Sequence, residues 1–214
     1  PPPLAGRICL PADPHSLMDL ACRLAAPARF GTAAGRYPDQ LAALQNRARQ
    51  HRIGSILDLG CGTGQGTREC VEVLSDLLAP PALAIGVTRE PLEVWLAQQN
   101  RTRRDPKQRT PSPRPALHFA AGDAATPPVH RRFDIVLANG LLGGPCRDRP
   151  RRTATFFRNL SPLVADTGIV TMANRFHAGR TPAVRRALDT AARLGWHVAG
   201  TPALAWLHPP QYVH

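Results

Sequence analysis

At 214 residues the chain has room for one domain with a sizeable core, and its formal charge of +12 makes it strongly basic. No run of 18 apolar residues is present, and Pro1 to Leu10 lacks a charged stretch leading into an apolar one, so neither a membrane span nor a signal peptide is expected. The five cysteines lie far apart without a C-x-x-C pair, which argues against zinc, an iron–sulfur cluster or a disulfide scaffold. It points to a metal-free protein of the reducing cytoplasm.

The charge invites a nucleic-acid reading, but Lys107 is the only lysine, and richness in Arg, Ala and Pro is what a GC-rich coding sequence produces unselected. Net charge alone therefore does not argue for RNA or DNA. The chain begins without Met, as expected of a trimmed chain or a fragment.

Residues 1–50 read as an N-terminal helical cap segment. Ser16 opens a helix that breaks before Pro27, and Tyr37-Pro38-Asp39 opens a second through Leu41, Leu44 and Ala48. Arg29, Phe30, Arg36 and Tyr37 are its residues with reach toward a substrate. Residues 51–214 form the second unit. Its first strand, Ile56 to Leu59, carries Asp58 and breaks into Gly60, Gly62, Gly64 and Gly66, after which Thr67, Val71, Leu74 and Leu78 repeat at helical spacing. A strand, a glycine turn and a helix make the first unit of a nucleotide-binding α/β sheet.

Asp58 bears on which ligand. The glycine spacing departs from G-x-G-x-x-G, and a carboxylate beside a pyrophosphate is unfavourable, whereas a cationic ligand is attracted. S-adenosylmethionine is such a ligand, carrying an ammonium and a sulfonium and no phosphate. The rival is an NADP site in which Arg89 reads a 2′-phosphate.

The segment from Leu57 to Gly64, with Asp58, Gly60, Cys61, Gly62 and Gly64, resembles the first motif of the class I S-adenosylmethionine-dependent methyltransferases. The resemblance implies a Rossmann-like α/β fold, a seven-stranded, mostly parallel sheet with an antiparallel last strand, flanked by helices. Ala82 to Thr88 is the expected second strand. Where relatives end that strand in an acid for the ribose hydroxyls, this chain has Thr88 and Arg89, with Glu90 able to reach back. A helix through Leu92 and Leu96 follows, and then a polar, proline-rich basic loop over 100–115.

Ala116 to Ala124 is the expected third strand, ending in Gly-Asp-Ala, and the resemblance implies that Asp123 and Ala124 meet the adenine. Arg132 to Gly140 is the fourth, similar to the F-D-x-V motif. Asn139, Gly140 and Leu141 then stand beyond its carboxyl end, facing the methionine part and the acceptor. A helix follows over Thr153 to Val164, then a fifth strand over Gly168 to Ala173. His177, just past it, is the candidate general base. A last helix over Val184 to Leu194 precedes a hairpin of Trp196 to Gly200 and Ala203 to Leu207.

The expected function is methyl transfer from S-adenosylmethionine to a small molecule or lipid. Gly86-Val87-Thr88 resembles that branch, and the Asn/Asp-Pro-Pro-Tyr signature of planar-amine methylation is missing. The alternatives are a protein carboxyl (glutamate) methyltransferase similar to chemotaxis-receptor methylases, and an RNA-directed or non-catalytic S-adenosylmethionine-binding protein using 100–115 and Arg147 to Arg152.

Overall fold

Apolar runs bounded by glycine and proline become interior strands here because helices cover both faces of the sheet they join. A computed structural model describes residues 37–75, 81–101, 116–142, 150–174 and 180–210, together with Pro14, Leu17, Met18, Ala21, Cys22 and Gly35. The elements are α1 (Pro38–Gln50), β1 (Ser55–Leu59), α2 (Gln65–Ser75), β2 (Leu83–Thr88), α3 (Pro91–Arg101), β3 (Ala116–Ala121) and β4 (Phe133–Leu137). They continue as α4 (Pro150–Leu160), β5 (Val164–Ala173), α5 (Thr181–Arg193), β6 (His197–Gly200) and β7 (Leu204–His208). The strands form one seven-stranded sheet in the order β3-β2-β1-β4-β5-β7-β6. Pairing is parallel from β3 through β5, and β7 runs antiparallel to both β5 and β6.

The chain steps outward from β1 to β2 to β3 and then returns to place β4 on the other side of β1. The chain therefore turns to opposite faces after β1 and β4, which makes their carboxyl ends the switch point at which open α/β sheets form a ligand crevice. One face of the sheet is packed by α4 and α5 through Phe156, Phe157, Leu160, Val184 and Leu188. The other is packed by α1 and α2 through Leu44, Cys70, Val71 and Leu74, with α3 adding Val94 and Ala97 near the β3 edge.

Three strand boundaries differ from the sequence expectation by three or more residues, and one is the end of β4, which stops at Leu137 and not at Gly140. β3 stops at Ala121, because Asp123 turns the chain: its side chain accepts the Ala125 N–H at 2.8 Å and its backbone bridges Thr126. β5 begins at Val164, ahead of the expected Gly168, and its register on β4 shifts between Phe133 and Ile135. Gly168 sits in that irregularity, where a Cβ would come within 2.8 Å of the Phe133 carbonyl oxygen.

The amino-terminal edge of the sheet is tied by Asp134 of the Phe-Asp pair. Its Oδ2 accepts from the Gly54 N–H at 2.8 Å, the Ser55 N–H at 2.9 Å and the Ser55 hydroxyl at 3.0 Å. This aspartate joins the starts of β1 and β4 on the edge away from the crevice.

Candidate functional site

β1 is buried along its whole length, so a carboxylate inside it is out of place by hydrophobic patterning. Asp58 is 5% exposed and accepts one hydrogen bond, at 2.6 Å, from the Thr67 hydroxyl in the first turns of α2. Burial raises its carboxyl from 3.8 to about 6, and the Thr67 bond offsets only part of that rise. Among the described residues no cation pairs with it.

The loop after Asp58 is held by backbone. Gly60 and Cys61 both donate their N–H to the Val87 carbonyl, at 2.7 and 3.1 Å, which ties the loop to β2. Gly60, Gly62 and Gly64 have φ of 78°, 54° and 74°, a region that side chains disfavour. Space imposes glycine as well: a Cβ at Gly64 would lie 2.6 Å from the Phe119 ring, and one at Gly60 would lie 2.7 Å from Leu141. The Phe119 ring also fills the space over Gly86, next to Cys61. Burial first, then the carboxylates of Asp58 and Glu93, push the Cys61 thiol well up, so it is a neutral packing group and not a nucleophile.

Around this loop the structure brings together the ends of three further strands. At the end of β2, Thr88 is buried, and its hydroxyl donates to Glu93 Oε2 at 2.7 Å, while Arg89 is exposed and lies 3.8 Å from Glu90. Past β3, the Gly122 N–H donates to the Thr88 carbonyl, Asp123 is exposed, and Ala124 packs on the core. Past β4, Gly140 has a φ of 73° with no atom of the described residues within 4 Å of an added Cβ, and Leu141 lies against Gly60.

Asn139 turns its side chain inward. Its Oδ1 accepts from the Ala173 N–H at 2.9 Å and from Gln40 Nε2 at 2.8 Å, and its Nδ2 donates back to Gln40 Oε1 at 2.8 Å. Gln40 also donates to the Thr171 hydroxyl at 3.0 Å. His177, Arg29, Phe30, Arg36 and the loop 102–115 lie outside the described residues.

Four residues that complete this arrangement were not singled out by sequence reasoning: Thr67, Glu93, Gln40 and Phe119. Glu93 had a signal, an acid in the first turn of a helix opened by Pro91. Gln40 had none, because its partners are 99 and 131 positions away.

No protein-family model matches the chain, and no curated protein matches it. Among solved structures it is similar to the N-methyltransferase NodS from Bradyrhizobium japonicum WM9 in complex with S-adenosyl-l-homocysteine, with 15% identity, 91% of this chain and 98% of that one covered, and a TM-score of 0.61. A TehB-like SAM-dependent methyltransferase from Corynebacterium glutamicum aligns at 19% identity over 92% of this chain and 100% of its own, with a TM-score of 0.58. DhpI in complex with SAH aligns at 18% identity over 93% and 100%, with a TM-score of 0.56. Strand order, the reversed β7 and these alignments agree: the chain has the fold of the class I S-adenosylmethionine-dependent methyltransferases.

Proposed function

We propose that the protein is a methyltransferase that binds S-adenosylmethionine in the crevice at the carboxyl ends of β1, β2, β3 and β4 and methylates a small molecule or lipid. The observation that carries the reading is Asp58, a buried carboxylate without a countercharge among the described residues, beside a loop of positive-φ glycines. Such a group costs free energy until a cation arrives, and it repels a pyrophosphate. The neighbours crystallised with S-adenosylhomocysteine or SAM support the same ligand.

When bound, the cofactor supplies a methyl group on a sulfonium, open to in-line displacement by the acceptor atom. The chain's own residues hold and orient. Asp58 offers its carboxylate to the cationic methionine end, and the glycines let that end approach the backbone without a side chain between. Asp123 has used Oδ1 on the Ala125 N–H, and Oδ2 remains to accept from the exocyclic amine of adenine. Thr88 and Glu93 form a buried pair at the ribose position in place of a single acid. Leu141 and the open space at Gly140 shape the acceptor end, where positioning within about 3 Å and exclusion of water do the catalytic work.

Calorimetric titration with S-adenosylmethionine and with NADP, on wild type and Asp58→Asn, tests this. Micromolar S-adenosylmethionine binding that weakens about 100-fold in the variant is expected, as for loss of a buried charge-assisted contact. NADP binding, or S-adenosylmethionine binding indifferent to the variant, overturns it.

A further inference from the structure

The two helical layers differ in charge. On the layer that packs one face of the sheet, α1, α2 and α3 carry four basic residues (Arg47, Arg49, Arg68, Arg101) and four acidic ones (Asp39, Glu69, Glu72, Glu93). On the opposite layer, α4 and α5 carry six arginines (Arg151, Arg152, Arg158, Arg185, Arg186, Arg193) and one acid, Asp189. A coding bias toward arginine raises the count everywhere, but it does not sort charge by layer.

All six arginines are exposed, and among the described residues none meets a carboxylate within ion-pair distance. Helix stability accounts for two of them, Arg158 and Arg193, which stand in the last turns of α4 and α5 where a cation favours the helix dipole, but not for the other four. Arg151 and Arg152 stand in the first turn of α4, where a cation opposes the helix dipole, and neither α4 nor α5 has an acid in its first turn. The two helices pack side by side on the sheet through Phe156, Phe157, Val184 and Leu188, so their outer faces form one continuous surface.

We propose that this α4–α5 face binds a nucleic acid through its phosphates. Guanidinium groups present paired donors that match phosphate oxygens, and here they are held on rigid helices. The exposed positions between them are Thr155, Thr181, Pro182, Asp189 and Ala192, with no large apolar or aromatic side chain. A membrane surface needs apolar residues to insert, and a protein interface needs an apolar centre to bury. A single strand gains most from aromatic stacking. A duplex read by its backbone needs only the cations. The proposal is independent of the bound cofactor.

The test uses the full chain without cofactor and a labelled 16-base-pair RNA duplex, with fluorescence anisotropy across a salt series. Wild type is compared with Arg158→Glu/Arg186→Glu and with a matched charge change elsewhere, Arg49→Glu/Arg52→Glu. The expected result is wild-type binding that weakens steeply with salt. At low salt the α4–α5 variant should bind at least tenfold more weakly, with a log–log salt slope flatter by about two, while the matched control shifts less than threefold. Arg158→Gln/Arg186→Gln repeats the measurement if charge reversal disturbs folding. Equal losses in both variants, binding without salt dependence, or capture by phosphatidylserine vesicles but not by RNA overturns the proposal.

Discussion

Asp58 and Asp134 stand on adjacent strands at opposite edges of the same sheet, and the fold treats them in opposite ways. Asp134 collects two backbone N–H groups and a hydroxyl, a set of donors that stabilises a carboxylate and joins two strand starts. Asp58 is more deeply buried and receives one hydroxyl. The amino-terminal edge thus meets its carboxylate in full, while the carboxyl-terminal edge keeps a carboxylate with one donor, glycines at positive φ and, among the described residues, open space at Gly140. Incompleteness at one edge of an otherwise satisfied sheet is the asymmetry on which the proposed cofactor site rests.

One substitution made at both positions sharpens the contrast. Asp134→Asn replaces an acceptor of three bonds with a weaker, half-donor group, and it should lower stability by about 1–2 kcal/mol while leaving cofactor affinity within twofold. Asp58→Asn removes a buried charge whose carboxyl has risen from 3.8 to about 6, worth about 3 kcal/mol. With about 1 kcal/mol returned by the unpaired amide, the ligand-free variant should gain about 2 kcal/mol at pH 7. Denaturant unfolding measures both. Destabilisation by Asp58→Asn would remove the idea that this carboxylate is held at a cost.

The same group sets a pH dependence. Because Asp58 titrates near 6 when folded and near 3.8 when unfolded, the folded chain holds a proton between those values that the unfolded chain has lost. Stability from this group is fully present below about pH 4, falls as pH rises to about 6, and is constant above. Cofactor affinity runs the other way. At pH 5 about one-tenth of the carboxyl is ionised, so S-adenosylmethionine should bind about tenfold more weakly than at pH 7.5. The Asp58→Asn profile should be flat over that range. A wild-type profile equally flat would show that the ionised carboxylate is not what holds the ligand.

The sheet was legible because its strands are continuous apolar runs, and the crevice because its turns are glycines at fixed spacing: Asp58 to Gly64, Gly122 to Ala124 and Asn139 to Leu141 all fall at strand ends in one place. The inward turn of Asn139 was not legible, since an amide beyond a strand end reads alike whether it faces a ligand or a neighbouring helix. The space over Gly64 and Gly86 is equally silent in sequence, because it is filled by the Phe119 ring from a third strand. The charge difference between helical layers was hidden for another reason: composition sums over faces that only packing separates.

The smallest effect concerns α1, which crosses between the two edges. Near the carboxyl edge Gln40 exchanges two hydrogen bonds with Asn139 and gives another to Thr171, all largely shielded from water. Near the opposite edge Arg47 donates to the Thr167 carbonyl at an exposed position. Shielded bonds cost more to break than wet ones, so Gln40→Ala should lose about 1–2 kcal/mol and Arg47→Ala no more than about 0.5 kcal/mol. For a chain of this size that corresponds to melting shifts of roughly 3–6 °C and about 1 °C. Because Asn139 precedes Gly140 and Leu141, Gln40→Ala should also weaken S-adenosylmethionine binding by twofold to fivefold, whereas Arg47→Ala should leave it unchanged. Equal melting shifts would mean that Leu44, buried among Ile56, Cys70 and Leu74, docks this helix without help from its polar ends.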